Sequence, residues 1–281
     1  MSLLASVERA VERARSAGAL RFLPTKPVNH GRFILRVAES LRSKPKPKLE
    51  RKPGGDQDPF DRKSLEKELV VCDLEGSGDD GGHTVLLNKF PVVDNHLLVV
   101  TQRFEPQDAL RRVDYKAVFQ VLSAFGEREG LAFYNCGPHS GMSQPHKHVQ
   151  VVPLPSSIFK EEIEEAIGAR DGGLCPVDGL PFACFACAVD LGTKSVEDVG
   201  SELERMYEEA KERIEFDSYN LLFTQKWWLL VPRSRDGFGP IGINAMGYAG
   251  TFLLRTQEEV DFVTGQEDPM SILTSTGFET Q

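Results

Sequence analysis

No stretch of this sequence approaches the roughly 18 consecutive apolar residues of a membrane-spanning helix, so neither a spanning helix nor a membrane partner is expected. The opening segment, Met1-Ser-Leu-Leu-Ala-Ser-Val-Glu-Arg-Ala, reads as an amphipathic helix with acids and bases mixed, not as an apolar signal segment behind a basic start. The expected location is the cytoplasm or an organelle matrix. Excess positive charge is lacking too: 33 Lys and Arg against 42 Asp and Glu leave a net charge of -9. Broad nucleic-acid binding needs a basic face that releases counterions, and this balance argues against it. An anionic small molecule would instead need a local basic pocket. Cysteines are few, at Cys72, Cys136, Cys175, Cys184 and Cys187. Their odd number and irregular spacing fit free thiols in a reducing compartment and no disulfide framework. Cys184-Phe-Ala-Cys187, with Cys175 upstream, nominally offers a zinc pair, but its setting is apolar and no second pair matches it, so buried core thiols are the better reading. Cys136 reads as a packing residue, with a redox-sensitive thiol as the alternative. No carboxylate cluster calls for a protein-bound metal.

What is present is an ordinary globular composition, 40% hydrophobic and 27% charged over 281 residues, enough for one catalytic domain with a sizeable core. The oligomeric state is left open, with a monomer as the simpler expectation. Residues 1 to about 20 predict a helix and Phe33-Ile-Leu-Arg-Val-Ala a strand. The stretch 43–61, with Lys44-Pro-Lys-Pro-Lys48 and Lys52-Pro-Gly-Gly-Asp, has neither apolar period nor helix former and predicts a flexible loop. Leu69-Val-Val-Cys72 and Thr84-Val-Leu-Leu-Asn88, joined by a Gly/Asp-rich insertion, predict a hairpin. His96-Leu-Leu-Val-Val-Thr101 predicts a buried strand. A helix follows over 114–125 with Asp114 as N-cap, then a strand at Ala132-Phe-Tyr-Asn135 and another over 147–152. Helices are predicted over 157–169 and 196–214. Leu86 and Leu97 open runs that echo those beginning at Leu221 and Leu229, which suggests two copies of one strand-turn-strand unit. Strand runs joined by turns, with helices in blocks, point to an α+β fold with a mostly antiparallel sheet.

The segment Ser143-Gln-Pro-His146-Lys-His148-Val-Gln150 carries the chemistry. In a strand, His146, His148 and Gln150 share one face, while Lys147, Val149 and Val151 share the other. Three aligned polar groups are costly in a core and useful where a ligand supplies their partners. A neutral imidazole can attack phosphorus near pH 7 and form a labile phosphoramidate, provided its other nitrogen keeps the proton. Gln150 cannot titrate but can hydrogen-bond a phosphate oxygen. The preceding loop, Asn135-Cys-Gly-Pro-His-Ser-Gly-Met-Ser-Gln144, has glycines that let backbone N–H groups approach phosphates. A His-x-His pair alone reads equally as a metal pair or a surface feature, though no third His or carboxylate stands in the strand. Joined to the loop, it outlines a polyphosphate site.

The joined motif from Asn135 through Ser140-Gly-Met-Ser-Gln-Pro-His-Lys-His-Val-Gln150 resembles the signature of the diadenosine tetraphosphate (Ap4A) phosphorylases. These ATP adenylyltransferases form the transferase branch of the histidine-triad (HIT) superfamily, with Gln in place of a third His. Leu87-Asn-Lys-Phe-Pro-Val-Val-Asp-Asn-His, Tyr219-Asn-Leu-Leu-Phe-Thr-Gln-Lys-Trp and Gly242-Ile-Asn-Ala-Met-Gly are similar to other family segments, so the likeness spans about residues 69 to 255. It implies a HIT-like sheet, with two HIT-like half-units in one chain as one form of it. It implies His148 as the nucleophile that takes AMP, assisted by His146 and Gln150, with ATP leaving and phosphate then accepting AMP to give ADP. It further implies Asn135, Gly141, Met142, Ser143, Gln144 and Gln150 at the phosphates or ribose, Asn88 and Lys89 along the substrate, Asn244 nearby, and a lysine of the 44–48 stretch, Lys44 by choice. Mg2+ or Mn2+ is expected with the polyphosphate, and sulfate is similar enough to phosphate to compete. Water as acceptor, making the chain a hydrolase, and an inactive nucleotide sensor are the alternatives.

Overall fold

Short apolar runs with little alternation, such as Leu97-Leu-Val-Val, demand burial on both faces, and the computed structural model places them at the centre of one sheet. It describes residues 2–38, 58–76, 81–126, 130–153, 157–170 and 172–280. The strands are β1 (Lys26–His30), β2 (Phe33–Val37), β3 (Val70–Leu74), β4 (His83–Leu87), β5 (Leu97–Thr101), β6 (Leu131–Cys136), β7 (His148–Val152), β8 (Cys175–Pro176), β9 (Phe185–Ala188), β10 (Tyr219–Phe223), β11 (Trp227–Pro232), β12 (Gly237–Phe238), β13 (Ile241–Gly242) and β14 (Thr251–Leu254). The helices are α1 (Leu3–Ser16), α2 (Arg112–Ser123), α3 (Lys160–Gly168), α4 (Val196–Arg213), α5 (Ala245–Tyr248), α6 (Gln257–Thr264) and α7 (Met270–Thr276).

Nine strands form one antiparallel sheet in the order β3-β4-β5-β7-β6-β10-β11-β9-β8. The α+β, mostly antiparallel expectation therefore holds. The two echoing runs both form antiparallel neighbours, β4 with β5 and β10 with β11, and the pairing of β6 with β10 joins the two halves into a continuous sheet. Helices α1, α2 and α4 cover one face with residues such as Val7, Val118, Phe119 and Leu203. Helices α3, α5, α6 and α7 and the small sheet β1-β2-β14 cover the other around Phe33, Phe252, Tyr248 and Ile272. A third, smaller cluster on that second face, Leu86, Leu98 and Val100, is covered by Phe60 and Leu65. Among the described residues no helix is long and apolar enough to cross a membrane.

The seam between the two coverings of the second face runs over β7, which is buried there except at the half-buried Gln150. His148 pairs across to Val100, and Gln150 lies between Leu98 on one side and Phe133 on the other. Two sequence expectations are corrected here. The named strand opens at His148, not residue 147, because the chain before it pairs as an isolated bridge, Pro106 with His146. Asp114 is not the N-cap of α2: Arg111 holds that position, and the Asp114 carboxylate accepts from the Arg111 backbone N–H at 2.8 Å. Asp114 has a larger task in the core. It meets His83 Nε2 at 2.7 Å and Lys147 Nζ at 3.4 Å, and Lys147 also donates to Glu105 Oε2 at 3.2 Å and to the Ala109 carbonyl at 3.3 Å. The residue between the two motif histidines is thus tied to the back of the sheet.

Burial alone would raise the Asp114 pKa, but the His83 hydrogen bond, the Lys147 charge and the Arg111 N–H together hold it below the usual carboxylate value. A depressed folded pKa stabilises above the unfolded value of about 3.9 and loses that contribution as pH falls through the folded one. Asp114→Ala takes from the buried Lys147 one of its two carboxylates and from the buried His83 its partner, so urea denaturation at neutral pH should show a loss of about 3–5 kcal/mol. The difference between variant and wild type should narrow below about pH 3.9, and an equal gap at all pH values would exclude an ionised Asp114.

Candidate active site

The loop between β6 and β7 is shaped by two glycines in the left-handed region, Gly137 at φ 83° and Gly141 at φ 75°. A Cβ at Gly141 would lie 2.7 Å from the Ile243 carbonyl oxygen and 2.8 Å from Asn244 Cβ, so only glycine lets the loop press against the start of α5. Ser140 closes the turn by donating from Oγ to the Gly137 carbonyl at 2.7 Å. As β6 and β7 diverge, a carboxamide fills the breach. Gln107 Oε1 accepts from the His148 backbone N–H at 2.8 Å, and its Nε2 donates to the Asn135 and His148 carbonyls at 3.1 and 3.2 Å. One buried side chain therefore replaces ladder hydrogen bonds and sets the spacing between Asn135 and His148.

His148 Nδ1 lies 2.8 Å from the His146 carbonyl oxygen. A carbonyl only accepts, so Nδ1 carries the ring proton and Nε2 carries the lone pair. Among the described residues Nε2 makes no hydrogen bond. Burial pulls the pKa of the ring down to about 4, against which the His146 carbonyl acts in the raising direction. At neutral pH the imidazole is uncharged and its free nitrogen is a base and nucleophile.

Two amides flank it, each with its oxygen end already occupied. Gln150 Oε1 accepts from His96 Nε2–H at 3.0 Å, and Asn88 Nδ2 lies 3.3 Å from the other ring nitrogen of His96. Asn88 Oδ1 in turn accepts from the Phe90 backbone N–H at 2.9 Å. Asn135 Oδ1 accepts from Asn220 Nδ2 and from the Ala245 backbone N–H, both at 2.9 Å. The ends left over are Gln150 Nε2 and Asn135 Nδ2, both donors. By strand alternation both belong to the face of His148. A free imidazole nitrogen between two fixed amide donors is an arrangement for an anionic phosphoryl group.

His146 does a different job. Its ring is buried, with Nδ1 2.8 Å from Asp58 Oδ2 and Nε2 2.8 Å from the Thr101 carbonyl oxygen. Both contacts need a proton, so His146 and Asp58 together form a net-neutral, proton-sharing pair. Phe60 packs on both histidines, with ring centroids 5.8 Å from His146 and 5.1 Å from His148. His146 therefore acts on His148 through its main-chain carbonyl, while its ring anchors the segment after Asp58.

The remaining candidates divide. Ser143 is exposed, and Met142 and Gln144 are half-buried, on the loop ahead of His146. Lys89 pairs with Glu66 and lies over the Phe90 ring. Asn244 caps α5, accepting from Met246 N–H at 3.0 Å, and packs close against Gly141 of the loop. Lys44 and residues 43–57 of the loop expected over 43–61 lie outside the described residues, but its end carries Asp58 and Phe60, which meet the histidines. Cys184 and Cys187 are buried on opposite faces of the sheet, as core thiols, and burial pushes Cys187 up to about 12. Cys136 is also buried, donates to the Gln107 carbonyl at 3.1 Å, and is pushed up to about 12 by burial. At that value a thiolate is scarce, which favours packing over redox sensing. Among the described residues no group of three or more His, Cys, Asp or Glu could hold a metal ion.

Sequence reasoning missed Asp58, Gln107, His96, Asn220 and Arg233. His96 had the best signal, a polar residue opening an apolar strand with the same parity as Leu98 and Val100. The others sit in turns or strands with no local mark of function.

The comparisons agree with this geometry. The family model for the Ap4A phosphorylase N-terminal domain matches residues 1–167, and that for the ATP adenylyltransferase C-terminal domain matches residues 178–279. Diadenosine 5',5'''-P1,P4-tetraphosphate phosphorylase 2 of Saccharomyces cerevisiae is 34% identical over 244 residues, covering 76% of this chain and 73% of that protein. Protein APA1 of the same yeast is 31% identical over 261 residues, 83% of this chain and 81% of that one. The crystal structure of yeast Ap4A phosphorylase Apa2 with AMP superimposes with a TM-score of 0.80 at 29% identity, covering 100% of this chain and 99% of that chain. With two domain models in tandem and relatives matched over most of their length, the chain belongs to the Ap4A phosphorylase family of ATP adenylyltransferases.

Proposed function

We propose that this chain catalyses the phosphorolysis of Ap4A to ATP and ADP through an adenylyl group carried on His148. The observation that carries the reading is the single free nitrogen of His148, Nε2, set between the amide donors of Asn135 and Gln150. A solved yeast relative, Apa2, has been crystallised in complex with Ap4A, at 28% identity and a TM-score of 0.79.

In the first step Nε2 attacks the α-phosphorus of one adenylyl half. The N–P bond forms as the bond from that phosphorus to the oxygen bridging to the β-phosphate breaks, and ATP departs with that oxygen. The Nδ1 proton stays on the ring throughout, where the His146 carbonyl dipole stabilises the positive charge that the imidazole acquires. In the second step inorganic phosphate attacks the same phosphorus from the vacated side, releasing ADP and the neutral ring. Two in-line displacements retain configuration at phosphorus. Gln150 can donate to a phosphate oxygen but has no proton to give a leaving group, which suits departure as an already stable polyphosphate. Mg2+ or Mn2+ would arrive with the polyphosphate as part of the substrate. The free cysteines fit a reducing compartment such as the cytoplasm.

His148→Ala should abolish formation of the adenylyl-protein and turnover of Ap4A with unchanged melting behaviour; retained turnover in purified variant would refute the assignment. ATP and ADP should appear together and only when phosphate is supplied, whereas full-rate cleavage without phosphate would make water the acceptor. Because burial holds His148 near a pKa of about 4, kcat/KM should stay flat as pH falls through about 6.5, where an ordinary imidazole would be half protonated. A decline centred near that ordinary value would show that the ring is not buried in solution. Gln107→Leu, which removes the clamp between Asn135 and His148, should lower kcat by about a hundredfold in single-turnover adenylylation. An unaltered kcat would mean that the strands hold their spacing without it.

A further inference from the structure

Arg233 follows β11 and is almost wholly buried, yet among the described residues it makes no salt bridge. Its guanidinium donates from Nε to the Thr276 carbonyl at 3.0 Å, from Nη1 to the Ile243 carbonyl at 3.0 Å, and from Nη2 to the Arg235 carbonyl at 2.7 Å. Nη1 also donates to Asn220 Oδ1, and the Tyr248 ring lies 5.1 Å from Cζ. A desolvated cation is destabilising unless something compensates it. Its hydrogen-bond acceptors are all neutral oxygens, and the Asp236 charge acts on it only from a distance, without an ion pair.

The contact with Asn220 leads to the nucleophile. Asn220 Nδ2 donates to Asn135 Oδ1 and to the Ser140 carbonyl, each at 2.9 Å. Asn135 and His148 are neighbours, since their two carbonyls share the one Gln107 Nε2 donor. A carboxamide has two ends of nearly equal size, so its orientation is decided by what it faces. If Asn135 alone turned over, its Nδ2 would meet two donors, Asn220 Nδ2 and the Ala245 N–H. If Asn220 turned with it, Asn220 Nδ2 would meet Arg233, which has no acceptor and cannot lose its proton. The chain of amides can therefore run in only one sense.

We propose that Arg233 and Asn220 are positioning residues for adenylyl transfer: the arginine fixes the sense of the Asn220 and Asn135 carboxamides, so that Asn135 presents its Nδ2 donor to the phosphoryl group at His148. The proposal rests on the adenylyl-transfer reading of the site. It also gives the buried cation a use, because a fixed cation behind a neutral donor favours an anionic ligand without placing an ion beside the nucleophile.

The test is Asn220→Asp, which keeps the shape and an acceptor for Arg233 but sets a second oxygen against Asn135 Oδ1. Asn135 Oδ1 is then repelled by that oxygen while the Ala245 N–H still asks for an acceptor, so its Nδ2 is no longer held firmly towards the phosphate. AMP affinity, by calorimetry, and the single-turnover rate of adenylyl-His148 formation should each fall about tenfold to a hundredfold, with the melting temperature retained. Asn220→Ala leaves the Ala245 N–H to hold Asn135, so a smaller loss, about threefold to tenfold, is expected from it. That variant decides the matter should the aspartate not fold. A role confined to stapling loops would not act through Asn135, so each variant is repeated in an Asn135→Ala background, where its effect should shrink to within about twofold. Wild-type behaviour of both variants within about twofold, or a loss undiminished without the Asn135 amide, overturns the proposal. Failure of the wild type itself to form adenylyl-His148 would instead refute the underlying reading, while the AMP affinities would still report on the orientation of Asn135.

Discussion

One proton, held on His148 Nδ1 by the main-chain carbonyl of His146 at 2.8 Å, decides what the rest of the site can do. A neutral imidazole has a single lone pair, and placing the proton on one nitrogen places the lone pair on the other. The carbonyl must therefore be held still. Three consecutive residues do so from different directions: the His146 ring is fixed by Asp58 and Thr101, the Lys147 side chain is drawn to Asp114 on the far side of the sheet, and the His148 backbone is clamped by Gln107. The alternation of a strand sends these anchors to opposite faces, so the peptide between them has little room to rotate.

The same constraint fits the amides that stand beside His148. An ion beside Nε2 would shift its proton affinity, and a cation close by would compete for the lone pair only by repelling the proton it must stay free of. Amides avoid both effects. Asn135 and Gln150 each have the oxygen end satisfied from within the protein, which leaves donors for an anion at no cost in net charge. The His146 and Asp58 pair adds no net charge either. Among the described residues the groups that face His148 are oriented dipoles, which favour an anion without adding net charge.

Burial links the site to the fold. His148 lies on the seam where the apolar cluster of β4 and β5, covered by Phe60, meets the larger cluster built from α3, α5, α6, α7 and the small sheet. Neither covering closes over it alone. The desolvation that takes its pKa to about 4 is thus a product of two layers meeting, and Phe60 contributes to it directly.

By itself the sequence determined the antiparallel sheet and the helices, and it singled out His148 and the loop before it, because each of those signals is local. Alternation put His148 and Gln150 on one face, the glycines marked the turn, and apolar runs bounded by turn residues marked the strands. It erred where a side chain's partner decides its role, as with Asp114, which resembled an N-cap and proved to be the anchor of Lys147. Only the tertiary structure brought Asp58 to His146 across 88 positions, His96 to Gln150 across 54, Gln107 to His148 across 41 and Asn220 to Asn135 across 85. Hydrogen bonds of that kind leave no periodicity in the chain. Their geometry exists only once strands distant in sequence lie side by side, and with it came the tautomer, the direction of each amide and the buried charge behind them.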